Sequence, residues 1–192
     1  MKVLTLNNET FEKESLKLIS KLEVKPDLVV GIVKGGSYVL EAIKKHPTIN
    51  DGLFELITLQ RQSTKIKQRY LKPFLSVLPY RILNKLRILE SKQVTSKISK
   101  INLKQLQNIV LKFEIENTKA KSIKNILIVD DAIDTGKTMF IVKNNLKQKF
   151  PESKIEIAVL TWTIDSSIVK PDYYLYKNTL LRFPWSNDYK QQ

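Results

Sequence analysis

Residues Asp130 to Thr138, DDAIDTGKT, set three carboxylates beside a Thr-Gly-Lys-Thr turn. The four residues before them, Ile126 to Val129, are apolar with no polar alternation, the pattern of a strand buried on both faces. Asp130, Asp131 and Asp134 then fall at its carboxyl end, where open α/β sheets bind ligands. Thr135, Gly136, Lys137 and Thr138 open the next helix, whose free N–H groups and positive dipole end suit a phosphate. One short loop thus offers acids for sugar hydroxyls or a metal ion, beside a cradle for phosphate. That combination suits a sugar phosphate.

Gly136-Lys137-Thr138 copies the tail of a nucleotide-binding P-loop. That loop requires a further glycine five residues before Gly136. The residue there is Asp131, whose carboxylate would repel the polyphosphate the loop has to wrap. The P-loop reading is therefore excluded. A second apolar run, Asp27 to Val33, is rich in β-branched residues and predicts another buried strand. Lys34-Gly35-Gly36 follows it and leads into a helix predicted over Ser37–Lys45. Glycine lets the backbone approach a ligand closely, and Lys34 adds positive charge. Four of the five glycines, Gly31, Gly35, Gly36 and Gly136, lie in or beside these two loops.

The run Ile126–Thr138 resembles the phosphoribosyl-pyrophosphate signature of the type I phosphoribosyltransferases. It follows the wording of the hypoxanthine-guanine and xanthine-guanine branch: two acids, two residues, then Asp-Thr-Gly and a Thr. The resemblance implies that Asp130 and Asp131 face the ribose hydroxyls, directly or through Mg²⁺, and are the metal-binding residues. It implies that Asp134 lies near N7 of a purine and handles its proton. Thr135, Gly136, Lys137 and Thr138 would hold the 5-phosphate, with Lys137 equally readable as a solvated lysine at a helix start. Lys34, Gly35 and Gly36 would bind pyrophosphate, in members often through an unusual peptide conformation.

The C-terminal residues Leu180-Leu181-Arg182-Phe183-Pro184-Trp185 are similar to the end of the xanthine-guanine branch, which closes with a Pro-Trp pair. On that anchor, Leu180 and Leu181 fall where the branch places an aromatic and an aliphatic residue on the purine. The aromatic is missing here. The branch also has a lysine after the following core strand, reading the 6-oxo group, whereas this chain has Thr161-Trp162-Thr163. Trp162 offers a face on which a base could stack, or is a core or interface tryptophan.

The implied activity is transfer of the 5-phosphoribosyl group from phosphoribosyl pyrophosphate to a nucleobase, a 6-oxopurine, with Mg²⁺ and release of pyrophosphate, as in purine salvage. A homo-oligomer, dimer or tetramer, is implied as well. The alternative is a non-catalytic regulator that binds phosphoribosyl pyrophosphate or a nucleotide and contacts nucleic acid through a basic segment. A third reading is transfer to a non-purine acceptor.

The 192 residues predict one phosphoribosyltransferase-like domain, residues 1–192, with a basic helical insertion at about 61–100. The absence of cysteine excludes disulfides and thiolate metal sites. The first residues turn polar too soon for a signal peptide, and no apolar run is long enough to span a bilayer, so a cytoplasmic location is expected. The lone histidine, His46, precedes Pro47 at a predicted helix end and cannot build a Ser-His-Asp set.

Alternation of strands and helices predicts an α/β fold, a parallel sheet with helices on both faces, with a small C-terminal hood. Predicted elements are an edge strand over Met1–Leu6, helix Glu9–Leu22, strand Leu53–Leu59, a helix through Leu103, Leu106, Val110 and Phe113, helix Thr138–Phe150, strand Lys154–Leu160 and a last strand Tyr173–Tyr176.

The formal charge of +14 is concentrated: Arg61 to Gln105 holds 12 Lys and Arg against one acid, Glu90. Pro79 can start a helix there, with Ile82, Leu83, Leu86 and Leu89 as one stripe, and Leu71, Phe74, Leu75 and Leu78 add apolar surface before it. The segment reads as a packed insertion or dimer contact, as a basic lid over the pyrophosphate, or as a surface for nucleic acid or anionic membrane.

Overall fold

The two apolar runs form neighbouring strands in a computed structural model of the chain, which describes residues 1–59, 78–115 and 122–190. The strands are β1 (Lys2–Thr5), β2 (Leu28–Val33), β3 (Leu53–Thr58), β4 (Asn125–Ile133), β5 (Lys154–Trp162), β6 (Tyr173–Lys177) and β7 (Thr179–Arg182). The helices are α1 (Asn8–Ile19), α2 (Gly35–Ile43), α3 (Tyr80–Ile98), α4 (Leu103–Gln107) and α5 (Lys137–Lys149). A five-stranded parallel sheet runs in the order β3-β2-β4-β5-β6. A separate parallel pair joins β1 to β7.

Period-2 alternation sorts the strand residues into two cores. Val29, Leu127, Val129, Ala158 and Leu160 meet Leu18 and Ile19 of α1 and Val39, Leu40 and Ile43 of α2. Leu28, Val30, Ile32, Ile126, Ile128, Ile157 and Val159 meet Met139, Val142 and Leu146 of α5. Each of these side chains except that of Ala158 contributes roughly 1.5–3 kcal/mol when fully buried. The sheet is thus covered on both faces, as the unbroken apolar runs require.

The chain leaves β2 through α2 toward β3, and leaves β4 through α5 toward β5. The direction of winding reverses between β2 and β4, so a crevice opens at their carboxyl ends. This geometry brings loops about a hundred residues apart in sequence to one place.

Met1–Leu6 forms its edge strand as β1, in a two-stranded pair with β7, a short strand not predicted. Two sequence expectations are corrected. The helix through Val110 and Phe113 ends at Gln107. Beyond it the Asn145 side chain takes the backbone, donating to the Ile109 carbonyl and accepting from the Leu111 N–H at 2.9 Å. Within the basic segment, residues 60–77, with Leu71, Phe74 and Leu75, lie outside the described residues. The predicted helix is α3, entered from Pro79. Its apolar stripe splits: Leu83 is buried, whereas Ile82, Leu86 and Leu89 face outward. Among the described residues no helix is long and apolar enough to cross a membrane.

Candidate active site at the crevice between β2 and β4

β2 ends at Val33, the Val33–Lys34 peptide is cis, and α2 starts at Gly35. Ser37 fastens the turn by donating its hydroxyl to the Lys34 carbonyl at 2.7 Å. Lys34 itself is exposed. Gly35 is required by a neighbour from the other loop, because a Cβ there would fall within the Asp131 carboxyl group. A Cβ on Gly36 would strike the Val129 carbonyl oxygen. The Lys-Gly-Gly turn and the acid pair therefore fit directly against each other.

Asp130 is buried, and its Oδ1 accepts the Asp131 N–H at 2.9 Å. Asp131 Oδ2 accepts from the Trp185 indole Nε1 at 3.3 Å. Burial pushes the Asp131 carboxyl up to about 6, further raised by the Asp134 charge and opposed by the Trp185 and Asp130 hydrogen bonds. Part of the residue's surface stays accessible, but its carboxyl group lies between Gly35 and the indole, where loss of water counts. Asp134 is exposed, and its Oδ1 accepts the hydroxyl of Thr163. The Thr163 N–H donates to the Ile133 carbonyl at 2.9 Å, so one buried residue anchors both the end of β4 and the third acid.

Gly136 caps α5 with φ +82°, and a Cβ there would lie 2.9 Å from the Val169 nitrogen. The Ile168 N–H reaches the Thr135 carbonyl at 2.9 Å, which holds the loop from outside. The Lys137 N–H, the first of α5, is met by the Thr135 hydroxyl oxygen at 3.3 Å, and the Lys137 side chain is exposed. Because a left-handed residue with a Cβ costs roughly 1–2 kcal/mol and the Val169 nitrogen must also give way, Gly136→Ala is expected to lower unfolding free energy by at least that amount, measured in urea.

A cleft of about 910 Å³ contains Asp130, Asp134 and Thr135 to Thr138. Its opposite wall is Val94 of α3, Leu106 of α4 and Ile109 to Lys112. The cleft takes in Asp130 and Asp134 to Thr138; Asp131 and the Lys34-Gly35-Gly36 turn meet each other without lining it, and the predicted base contacts do not line it either. Trp162 is 7% exposed, pairs with Ile133 in the sheet, donates its indole N–H to Ser167 at 2.8 Å and carries Lys177 Nζ 4.8 Å from its ring. It is a core side chain, one of the two readings its sequence context allows. Leu181 is buried in the α1–α2 core, while Leu180 lies half-exposed on the other side of β7. Neither lines the cleft.

The residues missed in the sequence are Trp185 and Thr163. The Pro-Trp pair signalled the first, but not its bond to Asp131; no signal in the sequence marked the second as the partner of Asp134.

The sequence profile described as phosphoribosyl transferase domain matches residues 77–190, and the chain belongs to that family. The Lys34-Gly35-Gly36 turn lies before the matched stretch. Among solved structures, a purine phosphoribosyltransferase from Pyrococcus horikoshii Ot3 shares 22% identity over 97% of this chain and 95% of its own, with a TM-score of 0.58. Helicobacter pylori xanthine-guanine-hypoxanthine phosphoribosyltransferase shares 20% identity over 95% and 91%, with a TM-score of 0.58. A hypothetical protein from Neisseria gonorrhoeae with bound ppGpp shares 15% over 96% and 89%, with a TM-score of 0.54. These likenesses establish the type I phosphoribosyltransferase fold. No curated protein sequence matches the chain.

Proposed function

We propose that the protein transfers the 5-phosphoribosyl group of phosphoribosyl pyrophosphate to a purine, a 6-oxopurine in the first instance, releasing pyrophosphate. The observation that carries this reading is the fit of Gly35 against Asp131, which joins a basic glycine turn to an acid and phosphate loop at one crevice. The two purine phosphoribosyltransferases of like fold support the acceptor class.

In this mechanism the N–H groups of Thr135 to Thr138 hold the 5-phosphate. Asp130 and Asp131 orient the ribose hydroxyls, and Lys34 draws charge from the departing pyrophosphate. The bond from C1 to the pyrophosphate oxygen breaks as the bond to the base nitrogen forms, through an oxocarbenium-like state. Asp134, oriented by Thr163, accepts the proton the base gives up. Asp130 and Asp131 offer oxygen donors only, which suits Mg²⁺ held by one or two carboxylates together with substrate phosphates. Such an ion would supply further charge neutralisation at the diphosphate.

The regulator reading is favoured by one observation: Trp162 and Leu181, two of the expected base contacts, pack in the cores. One experiment decides between the readings. Pyrophosphate release is measured with phosphoribosyl pyrophosphate, Mg²⁺ and a panel of purine and pyrimidine bases. Turnover on hypoxanthine, guanine or xanthine is the expected result. Donor binding without turnover on any base, joined to nucleic-acid binding that weakens steeply with salt, would instead establish the regulator.

A further inference from the structure

The C-terminal segment reaches Asp131 through the side chain of Trp185. Trp185 lies stacked between Phe183, at 4.9 Å between ring centroids, and Tyr38 of α2, at 4.1 Å. Phe11 of α1 meets its edge at 4.8 Å. The indole plane is thus fixed on both faces and on one edge, and its N–H points at Asp131 Oδ2. On the opposite side of that carboxyl group stands Gly35.

The backbone carrying Trp185 is itself fastened. Arg182, 1% exposed, donates Nε to Asp188 Oδ2 at 3.0 Å, NH1 to Thr5 at 2.9 Å and NH2 to Asn84 of α3 at 2.8 Å. Arg87 of α3 donates Nε to the same Asp188 oxygen at 2.8 Å and NH1 to the Leu181 carbonyl at 3.0 Å. The turn Phe183–Ser186 is closed by the Ser186 hydroxyl, which accepts the Phe183 N–H at 3.0 Å. A tryptophan held only for its apolar area would not need its N–H aimed at a carboxylate of the crevice, nor a turn clamped on each side of it.

We propose that Trp185 is a positioning residue of the donor site, and that its indole N–H holds the Asp131 carboxylate in the orientation that meets the ribose hydroxyls. The role in donor binding rests on the function proposed above; the indole–carboxylate contact does not. Because the contact orients a ground-state ligand, its loss removes binding that substrate and transition state share, and so raises KM for the donor while leaving kcat nearly unchanged.

The test uses the full chain and two readouts. Trp185→Phe keeps a stacked ring and removes the N–H. Its calorimetric Kd for phosphoribosyl pyrophosphate is expected to rise about tenfold, in line with loss of one hydrogen bond to a charged group. Donor KM should follow, kcat should stay within about twofold, and the unfolding midpoint should stay near that of wild type. Separately, Trp185 and Trp162 each give an indole ¹H–¹⁵N resonance, assigned with Trp185→Phe. Asp131→Asn should move the Trp185 proton resonance upfield and leave that of Trp162 in place. A Trp185→Phe protein that binds the donor as wild type does overturns the positioning role. A Trp185 resonance indifferent to Asp131→Asn overturns the contact itself. Wild type that binds no donor at all overturns the proposed function, and with it the role of Trp185, while the resonance still judges the contact.

Discussion

Asp188→Asn is expected to destabilise the protein by about 3–5 kcal/mol, the range for removing one charge from a buried pair. Asp188 is the shared acceptor of Arg182 and Arg87, and the Arg182 side chain is almost wholly buried. The asparagine would keep the shape of the carboxylate and leave a buried guanidinium facing a neutral group. The Tyr80 ring, 4.3 Å from the Arg182 guanidinium carbon, and the Thr5 and Asn84 acceptors would soften that loss without replacing the charge. Urea unfolding of wild type and variant gives the difference. Its pH dependence has a definite sign. Burial alone would raise the Asp188 carboxyl, but the hydrogen bonds and charges of Arg87 and Arg182 outweigh it and hold the group below its ordinary value. The folded state therefore takes up that proton less readily than the unfolded chain. The stabilisation is fully present above the unfolded carboxylate range, about 4, and is lost as pH falls through the folded value. The gap between wild type and variant should be flat from about pH 5 to 8 and should narrow in acid.

The second large effect concerns chemistry rather than stability. Asp134→Asn is expected to lower kcat by roughly 10²- to 10⁴-fold, the usual worth of a positioned proton acceptor. The change is nearly isosteric, and the amide oxygen can still accept from Thr163. Donor affinity should therefore hold while turnover falls. Asp134 is exposed and takes no part in the cores, so the unfolding midpoint should barely move. Turnover of the asparagine variant equal to that of wild type, in an active preparation, would remove Asp134 from the proton step. Thr163→Val extends the test: with the hydroxyl gone, kcat should fall by a smaller factor, because the acid remains but loses its orientation.

Short-range order was readable in the chain, and long-range pairing was not. β2 and β4 announced themselves because a strand covered on both faces has no polar residues to interrupt it. Their loops were readable because Asp, Gly and Thr at strand ends have few structural uses in that order. The parallel sheet followed from the alternation of elements. By contrast, the Trp185–Asp131 bond joins residues 54 positions apart, and nothing local in Pro184-Trp185 reveals its partner. β7 was hidden because it is only four residues long and pairs with the opposite end of the chain. The helix over Leu103 to Phe113 had the right period, but a side chain of α5, Asn145, competes for the same backbone groups and wins beyond Gln107. Of the two readings open for Trp162, the sequence could not choose the core one, because its position in β5 beside Ile133 is set by long-range pairing.

The interlock of Gly35 with Asp131 has an evolutionary corollary. Any side chain at position 35 needs space that the carboxylate at position 131 already fills. A larger residue at 35 becomes tolerable only once 131 has shrunk, and an acid at 131 can return only once 35 is again glycine. Neither position can drift alone by single substitutions without passing through a clash or a lost carboxylate. The two loops, so far apart along the chain, are therefore expected to change together.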